Sequence, residues 1–529
     1  MNEKYSTSKG NQSSFISANE IKIDKNYFQE KGGILNALTT ASAQYIYKVI
    51  EKYNRGNSIK WFDLEKTKKL HRSIIHTNAH LDEYFAELLF RAILPPNLKD
   101  LEIKEHTLIS KDNDTFAKIS WPNAVVFGLR NEAGGASALQ IFDEHNSDGT
   151  RIRPSCSQLV TEDYVSNIPE SIQIVLNDVN MSDSNKGAHQ YNLKNIISSM
   201  HDTLFIIGPD EFGKGDITKY LTENWKRSII NTSITAMIYA YENRIFLNKD
   251  LDEKSKMELE RTTKQSLDYF LENTLLKTSK NFDKVKGTIL YHFKVGNNGK
   301  HETIDNAKWK DENDNEISKQ ILIIHRICYA LEKCWGKEIS KFVMMHIWQS
   351  LFQQQLMFKE IQDEINDLPT NQIIKTKFGS VKKLVVDRTL FKPEQKITDK
   401  RKRKFNIDSP FWLFDISLSV PDYYNVATAF KALINNEYTQ KGNNGFGLIL
   451  LHDKTMNSKL INTGPTVPYN IWTKISDAVH QTEPDRWFQL KGSDGKYADY
   501  ILNRTKAHQE HLPSNKIDIE FIKSIIKSL

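Results

Sequence analysis

In the first half of the chain, imidazoles and carboxylates recur in short segments that each follow an apolar run. His76-Thr-Asn-Ala-His80-Leu-Asp82 puts two imidazoles and a carboxylate within seven residues. Glu132-Ala-Gly-Gly comes after AVVFGL, and its glycines allow close backbone approach. Asp143-Glu144-His145 follows LQIF, and Asn177-Asp178 through Asp183 follows IQIVL. Carboxylate oxygens mixed with imidazole nitrogens suit divalent cations such as Mn²⁺ or Mg²⁺. Two such ions about 3.5–4 Å apart acidify a shared water and neutralise charge on a phosphoryl group under attack. Each segment taken alone has a plainer reading. His76 would be a hydrogen-bonded core histidine, and Asp143 and Asp178 would be turn or N-cap residues. Their repetition in one order, at the ends of expected strands, is what favours a metal site.

The elements that must position these residues can be read from hydrophobic period. ILNALTTASAQYIYKVIEKY has helical spacing and ends before Arg55-Gly56. HRSIIHT (71–77) reads as a strand, and LDEYFAELLFRAIL as a helix stopped by Pro95-Pro96. Further strands are expected at Glu102–Leu108, Ala124–Leu129, Leu139–Phe142 and Ile172–Leu176. Strands alternating with helices predict a mostly parallel sheet with its site at the strand ends. Residues 218–370 read as long helices rich in Lys, Glu, Leu and Ile. Strand-like runs return after about 380 in KKLVVDRTLF, FWLFDISLSV and GFGLILLH. The expected fold class is α/β. It comprises a polar segment (1–30), a metal-binding parallel-sheet domain (31–217), a helical middle insert (218–370) and a smaller α+β C-terminal domain (371–529).

His76-x-x-x-His80-x-Asp82 resembles the first motif, His-x-x-x-Asp-x-Asp, of the DHH phosphoesterase superfamily. The ending His80-Leu-Asp82-Glu83 before an apolar helix is similar to the branch typified by the melanocyte-proliferating-gene-one exonucleases. Glu132-Ala-Gly-Gly stands where that branch has Asp-Val-Gly-Gly, and Asp143-Glu144-His145 where the family has Asp-His-His. Asn177-Asp178 through Gly187 approximates the fourth, acidic turn. The likeness covers roughly residues 70–215. It implies that His76, Asp82, Glu132, Asp143 and Asp178 ligate two divalent ions, Mn²⁺ or Mg²⁺, with His80 and Glu144 as variant ligands. It also implies that His145 contacts the substrate phosphate and that Asp82 and His145 serve catalysis. The expected activity is hydrolysis of a phosphodiester in nucleic acid or a short oligonucleotide, as by a nuclease or exonuclease. The same spacing fits family II pyrophosphatases and small-nucleotide phosphohydrolases. The substituted ligands also fit a catalytically degenerate module that only binds or assembles.

In that family a C-terminal domain closes over the metals and supplies basic groups. The family's usual Gly-rich, His-containing signature is absent here; the matching candidates are Arg486, Lys491 and Arg504 near Gly-rich turns. Lys400-Arg-Lys-Arg-Lys404 is a second basic run suited to a nucleic-acid backbone, or to a solvated loop. The helical region is the candidate surface for a protein partner or a second copy. GxxxxGK[ST], HExxH and GxSxG are all absent. The 529 residues carry 72 Lys+Arg against 66 Asp+Glu, and a formal charge of +6 on so long a chain permits an anionic substrate without demanding one. Cys156, Cys328 and Cys334 form no CxxC pair, which argues against a disulfide scaffold or zinc ribbon and suits a reducing compartment. No run of apolar residues is long enough for a membrane span and the N-terminus lacks an apolar h-region, so a cytoplasmic location is expected.

Overall fold

The computed structural model describes residues 33–54, 62, 64–76, 79–94, 102–106, 122–129, 138–144, 152–183, 196, 217–243, 253–293, 308–310, 316–318, 324–365, 372–376, 379–386, 411–418, 448–454, 457–463, 467, 469–489, 497–498, 500–503 and 512–528. Their architecture is mixed α/β. Contacts within the chain group the described residues into two compact units, the second made of 279–285 and 352–528 and the first of the remainder.

The first unit is built on a four-stranded sheet of β1 (Arg72–His76), β2 (Glu102–His106), β3 (Ala124–Phe127) and β4 (Gln140–Phe142), in the order β2-β1-β3-β4. Every pairing is parallel, with Arg72 opposite both Glu102 and Ala124, and Val125 opposite Gln140. From β1 the chain moves outward to β2 and then returns to the other side as β3. The carboxyl ends of β1 and β3 therefore flank a switch point, where open parallel sheets place their sites. Fully buried β3 (AVVF) has the continuous apolar run that a sheet covered on both faces requires.

Helix α1 (Gly33–Tyr53), the short α2 (Leu64–Lys69) and α3 (Leu81–Ala92) belong to this unit, as do α4 (Cys156–Tyr164), α5 (Glu170–Asp183), α6 (Ile217–Glu242), α7 (Glu253–Asn273) and α9 (Ile324–Trp335). α3 is the hub. It packs on β1 and β3 and is covered by α1, α4, α5 and α6, so Leu81 to Phe90 are all buried. Phe90 meets Phe62, Phe127, Phe142 and Tyr164 with ring centroids 5.1–6.4 Å apart, tying the helix to the ends of β3 and β4. Edge-to-face pairs of this kind add to what burial alone contributes.

Two expectations are corrected. Ile172–Leu176 is part of α5, not a strand. Ile172, Val175, Leu176 and Val179 are buried at i, i+3, i+4 and i+7, and Pro169 opens the helix by accepting from Ile172 and Gln173. The helical stretch is also no separate insert, because α6 packs on α1, α3 and α5, and α9 packs on α6 and α7. Thr39 and Ser228 share a buried hydrogen bond of 3.1 Å across the α1–α6 seam, and Trp335 donates to the Thr232 carbonyl at 3.1 Å. The division between units falls near residue 351 within α10 (Lys337–Ile365). A helix α8 (Phe282–Phe293) and a small β5–β6 hairpin (Lys308–Lys310, Glu316–Ser318) complete this stretch.

The second unit carries a mixed sheet in the order β12-β11-β10-β9-β8-β7. Its strands are β7 (Ile373–Thr376), β8 (Gly379–Val386), β9 (Phe411–Leu418), β10 (Leu448–Asp453), β11 (Ser458–Thr463) and β12 (Tyr500–Asn503). Only β9 and β10 pair in parallel. Helices α11 (Tyr469–Thr482) and α12 (Ile519–Ser528) cover an apolar cluster that includes Leu413, Leu450, Ile461, Trp472 and Ile522. Among the described residues no helix is long and apolar enough to cross a membrane.

Candidate metal centre at the carboxyl ends of the parallel strands

A helix buried on every side should carry no charge without a reason, because stripping water from a carboxylate costs several kcal/mol unless something replaces it. α3 buries three carboxylates: Asp82, Glu83 and Glu87. For Glu87 the reason is visible. It accepts from Ser73 Oγ at 2.9 Å and from Arg91 Nε at 2.7 Å, and Arg227 Nη1 lies 3.9 Å away. Burial alone would raise its pKa. The two guanidinium groups and these hydrogen bonds outweigh that and hold the carboxyl below its ordinary value. This ion cluster binds α3 to β1 and to α6.

One turn earlier the surroundings are of another kind. Asp82 Oδ2 lies 3.1 Å from the Cys156 thiol, which donates to it, and 3.4 Å from the Cys156 backbone N–H. Ser157 Oγ donates to the Asp82 carbonyl at 2.5 Å, so the start of α4 is fastened to the start of α3. Ser155 caps α4 by accepting from the Gln158 N–H at 3.1 Å, and its hydroxyl meets Asn180 Oδ1 at 2.5 Å. Cys156 is fully buried. Its thiol pKa is driven well above the ordinary value by that burial first and then by the nearby charges of Asp82, Glu144 and Glu83.

Glu144 arrives from the end of β4, and its carbonyl accepts from the Ile152 N–H at 2.7 Å. Glu83 lies against Gly128, just past β3. Gly128 has φ +65°, and a β-carbon built there would sit 2.7 Å from Cγ and Oε1 of Glu83. The Gly128 N–H also donates to the Phe142 carbonyl at 2.8 Å, joining the ends of β3 and β4. A side chain at 128 would both strain the backbone and displace the carboxylate.

Among the described residues, two ligand groups result. His80, Asp82 and Glu83 offer donor atoms within 4.8 Å of one another, and so do Asp82, Glu144 and Cys156. Asp82 is common to both. The donors fit divalent cations, with carboxylate oxygens throughout, an imidazole in one group and a thiol in the other. Asp82 Oδ2 and Cys156 Sγ already stand at about the spacing of adjacent ligands around one ion.

The sequence-derived residues are distributed as follows. His80, the exposed N-cap of α3, joins buried Asp82, and Glu144 joins them from β4. Asp143 is buried beside Glu144 but belongs to neither group. His76 is the last residue of β1, and its side chain lies outside the described residues, as do Glu132, His145, Lys491, Arg504 and the basic run 400–404. Asp178 also joins neither group. It faces Tyr241 from mid-α5, and burial lifts its pKa to about 7. Its expected place at a strand end disappears with the strand. Arg486, in the second unit, donates through Nη1 to the Pro513 carbonyl at 2.5 Å, and its own carbonyl accepts from Asn503 Nδ2. Its described contacts hold a chain turn.

Glu83 and Cys156 are members that motif reading passed over. Glu83 stood in plain view beside Asp82. Cys156 had a local signal, since Pro154-Ser155-Cys156-Ser157 has the pattern of a capped helix start, and such a start delivers its first side chain to the end of a neighbouring element. Compared with protein-family models, curated proteins and solved structures, the chain matches none.

Proposed function

We propose that this chain is a divalent-metal-dependent phosphoesterase that hydrolyses phosphodiester bonds in nucleic acid or a short oligonucleotide. The observation that carries the reading is Asp82, a buried carboxylate shared by two ligand groups at the switch point of a parallel sheet. The order of His76, His80, Asp82, Asp143 and Glu144 along the chain, and its resemblance to the DHH motifs, supports the same reading. His80, Asp82 and Glu83 would hold one divalent ion, such as Mn²⁺ or Mg²⁺, and the group of Asp82, Glu144 and Cys156 would hold a second divalent ion. Bound there, the ions supply Lewis-acid stabilisation of a phosphoryl group and acidify water. The protein's part is positional. The Glu87 cluster and the Ser157–Asp82 bond fix the first turn of α3, while Gly128 leaves room for Glu83. A rigid ligand frame of this kind is what metal catalysis demands of a scaffold.

An end-labelled single-stranded oligonucleotide tests the proposal. Cleavage should require Mn²⁺ or Mg²⁺, stop with EDTA, and fall at least about a hundredfold in Asp82→Asn, as losing a metal or oxyanion contact typically does. Cleavage that survives EDTA, or is unchanged in Asp82→Asn, would remove the basis for it.

A further inference from the structure

We propose that Cys156 is itself a metal ligand, binding as a thiolate, and that it gives the Asp82–Glu144–Cys156 position a preference for thiophilic divalent ions such as Zn²⁺ or Co²⁺. The inference rests on the metal-dependent reading above and deepens it.

Three observations carry it. The first is geometry. The donors come from three separate elements, the start of α3, the end of β4 and the start of α4, and converge within 4.8 Å. In a tetrahedral zinc site with Zn–O and Zn–S bonds of about 2.0–2.3 Å, adjacent ligand atoms stand roughly 3.3–3.8 Å apart. The 3.1 Å between Cys156 Sγ and Asp82 Oδ2 is close to that edge.

The second is environment. A buried cysteine ordinarily behaves as a small apolar side chain. Cys328 shows the common case, buried within the helical layer with Ser266 Oγ at 3.4 Å. Cys156 instead has Asp82, Glu83 and Glu144 around it. A cation placed among these groups converts their mutual repulsion into ligation, and soft sulfur selects zinc-like ions over Mn²⁺ or Mg²⁺.

The third is rigidity. Ser155 caps α4 and meets Asn180, while Ser157 bonds the Asp82 carbonyl. The residues on either side of Cys156 thus hold its sulfur toward Asp82. On binding, the S–H bond breaks, the sulfur pair forms the bond to the metal, and the proton passes to solvent; no oxidant or reductant is involved.

Cobalt reports directly on sulfur ligation through a sulfur-to-cobalt charge-transfer band in the near ultraviolet. The full-length protein would be loaded with Co²⁺, its bound cobalt counted and its spectrum recorded. The same would be done for Cys156→Ser and for the double variant Cys328→Ser with Cys334→Ser. The band should be present in the wild type, persist in the double variant, where Cys156 is the sole thiol, and be lost in Cys156→Ser. Should Cys156→Ser fail to fold, the double variant decides the question. Bound cobalt with no sulfur band in the wild type overturns the role of Cys156 and leaves the metal reading standing. A band that survives Cys156→Ser, or vanishes in the double variant, also overturns it. No bound cobalt in the wild type overturns both readings together.

Discussion

Asp178 keeps its proton in the fold until about pH 7, because burial penalises the charged form. In the unfolded chain the same carboxyl ionises near pH 3.9. Between those values the unfolded state holds fewer protons, so Asp178 lowers stability progressively as pH rises from about 4 to about 7 and by a constant amount above. The full effect is on the order of 4 kcal/mol. Asp178→Asn removes the ionisation. It should leave stability near pH 4 almost unchanged, raise it near pH 8, and leave metal binding intact. Urea unfolding of both proteins across that range measures this, and parallel pH profiles would contradict it. Gly128 is the second residue-scale case. Its positive φ and the 2.7 Å approach of Glu83 mean that Gly128→Ala forces a displacement. The expected cost is about 1–2 kcal/mol, together with weaker metal affinity. An Ala variant as stable and as tightly metal-binding as the wild type would contradict the packing described.

At the scale of elements, α3 is held by one ion cluster and used by another. Glu87→Leu removes the buried carboxylate that Arg91 and Arg227 approach, and removing one member of such a buried ion group costs about 3–5 kcal/mol. A chemical melt that loses less than about 1 kcal/mol would show that the cluster does not hold the helix. α1 and α3 were legible in the sequence from their long helical period and β3 from its uninterrupted apolar run, while β1, β2 and β4 were legible as short segments bounded by turn residues. α5 was not. IQIVL is a short apolar run that fits a buried strand as well as a helix, and only the buried positions 172, 175, 176 and 179 show the helical period. Asp178 was misplaced along with it. Three of the five residues of the candidate centre were legible because of where they sit: His80, Asp82 and Glu144 lie at ends of readable elements. Cys156 enters from α4, which is distant in sequence, and becomes a neighbour of Asp82 only through the packing of α4 on α3. A sequence shows period and spacing, and it shows tertiary neighbours only where a motif already couples them.

Across the whole molecule, the two units differ in what a metal should do to them. A ligand that binds only the folded state stabilises it by about 2.7 kcal/mol at a hundred times its dissociation constant. All described candidate ligands belong to the first unit. Saturating Mn²⁺ should therefore slow amide exchange in β1, α3 and α4 and leave β9 to β12 unchanged. Protection spread equally over both sheets, or over neither, would contradict the placement of the centre. The helical stretch 217–278 should respond with the N-terminal sheet, since α6 packs directly on α3.

The most direct test of the central claim is the total metal content of the purified chain after loading with Mn²⁺ and Zn²⁺ together and removal of unbound ion, measured by elemental analysis beside Asp82→Asn. A site in which one carboxylate serves two ligand groups predicts about two ions per chain in the wild type and near-complete loss in the variant. Equal metal in the two proteins, or none in either, would contradict the account.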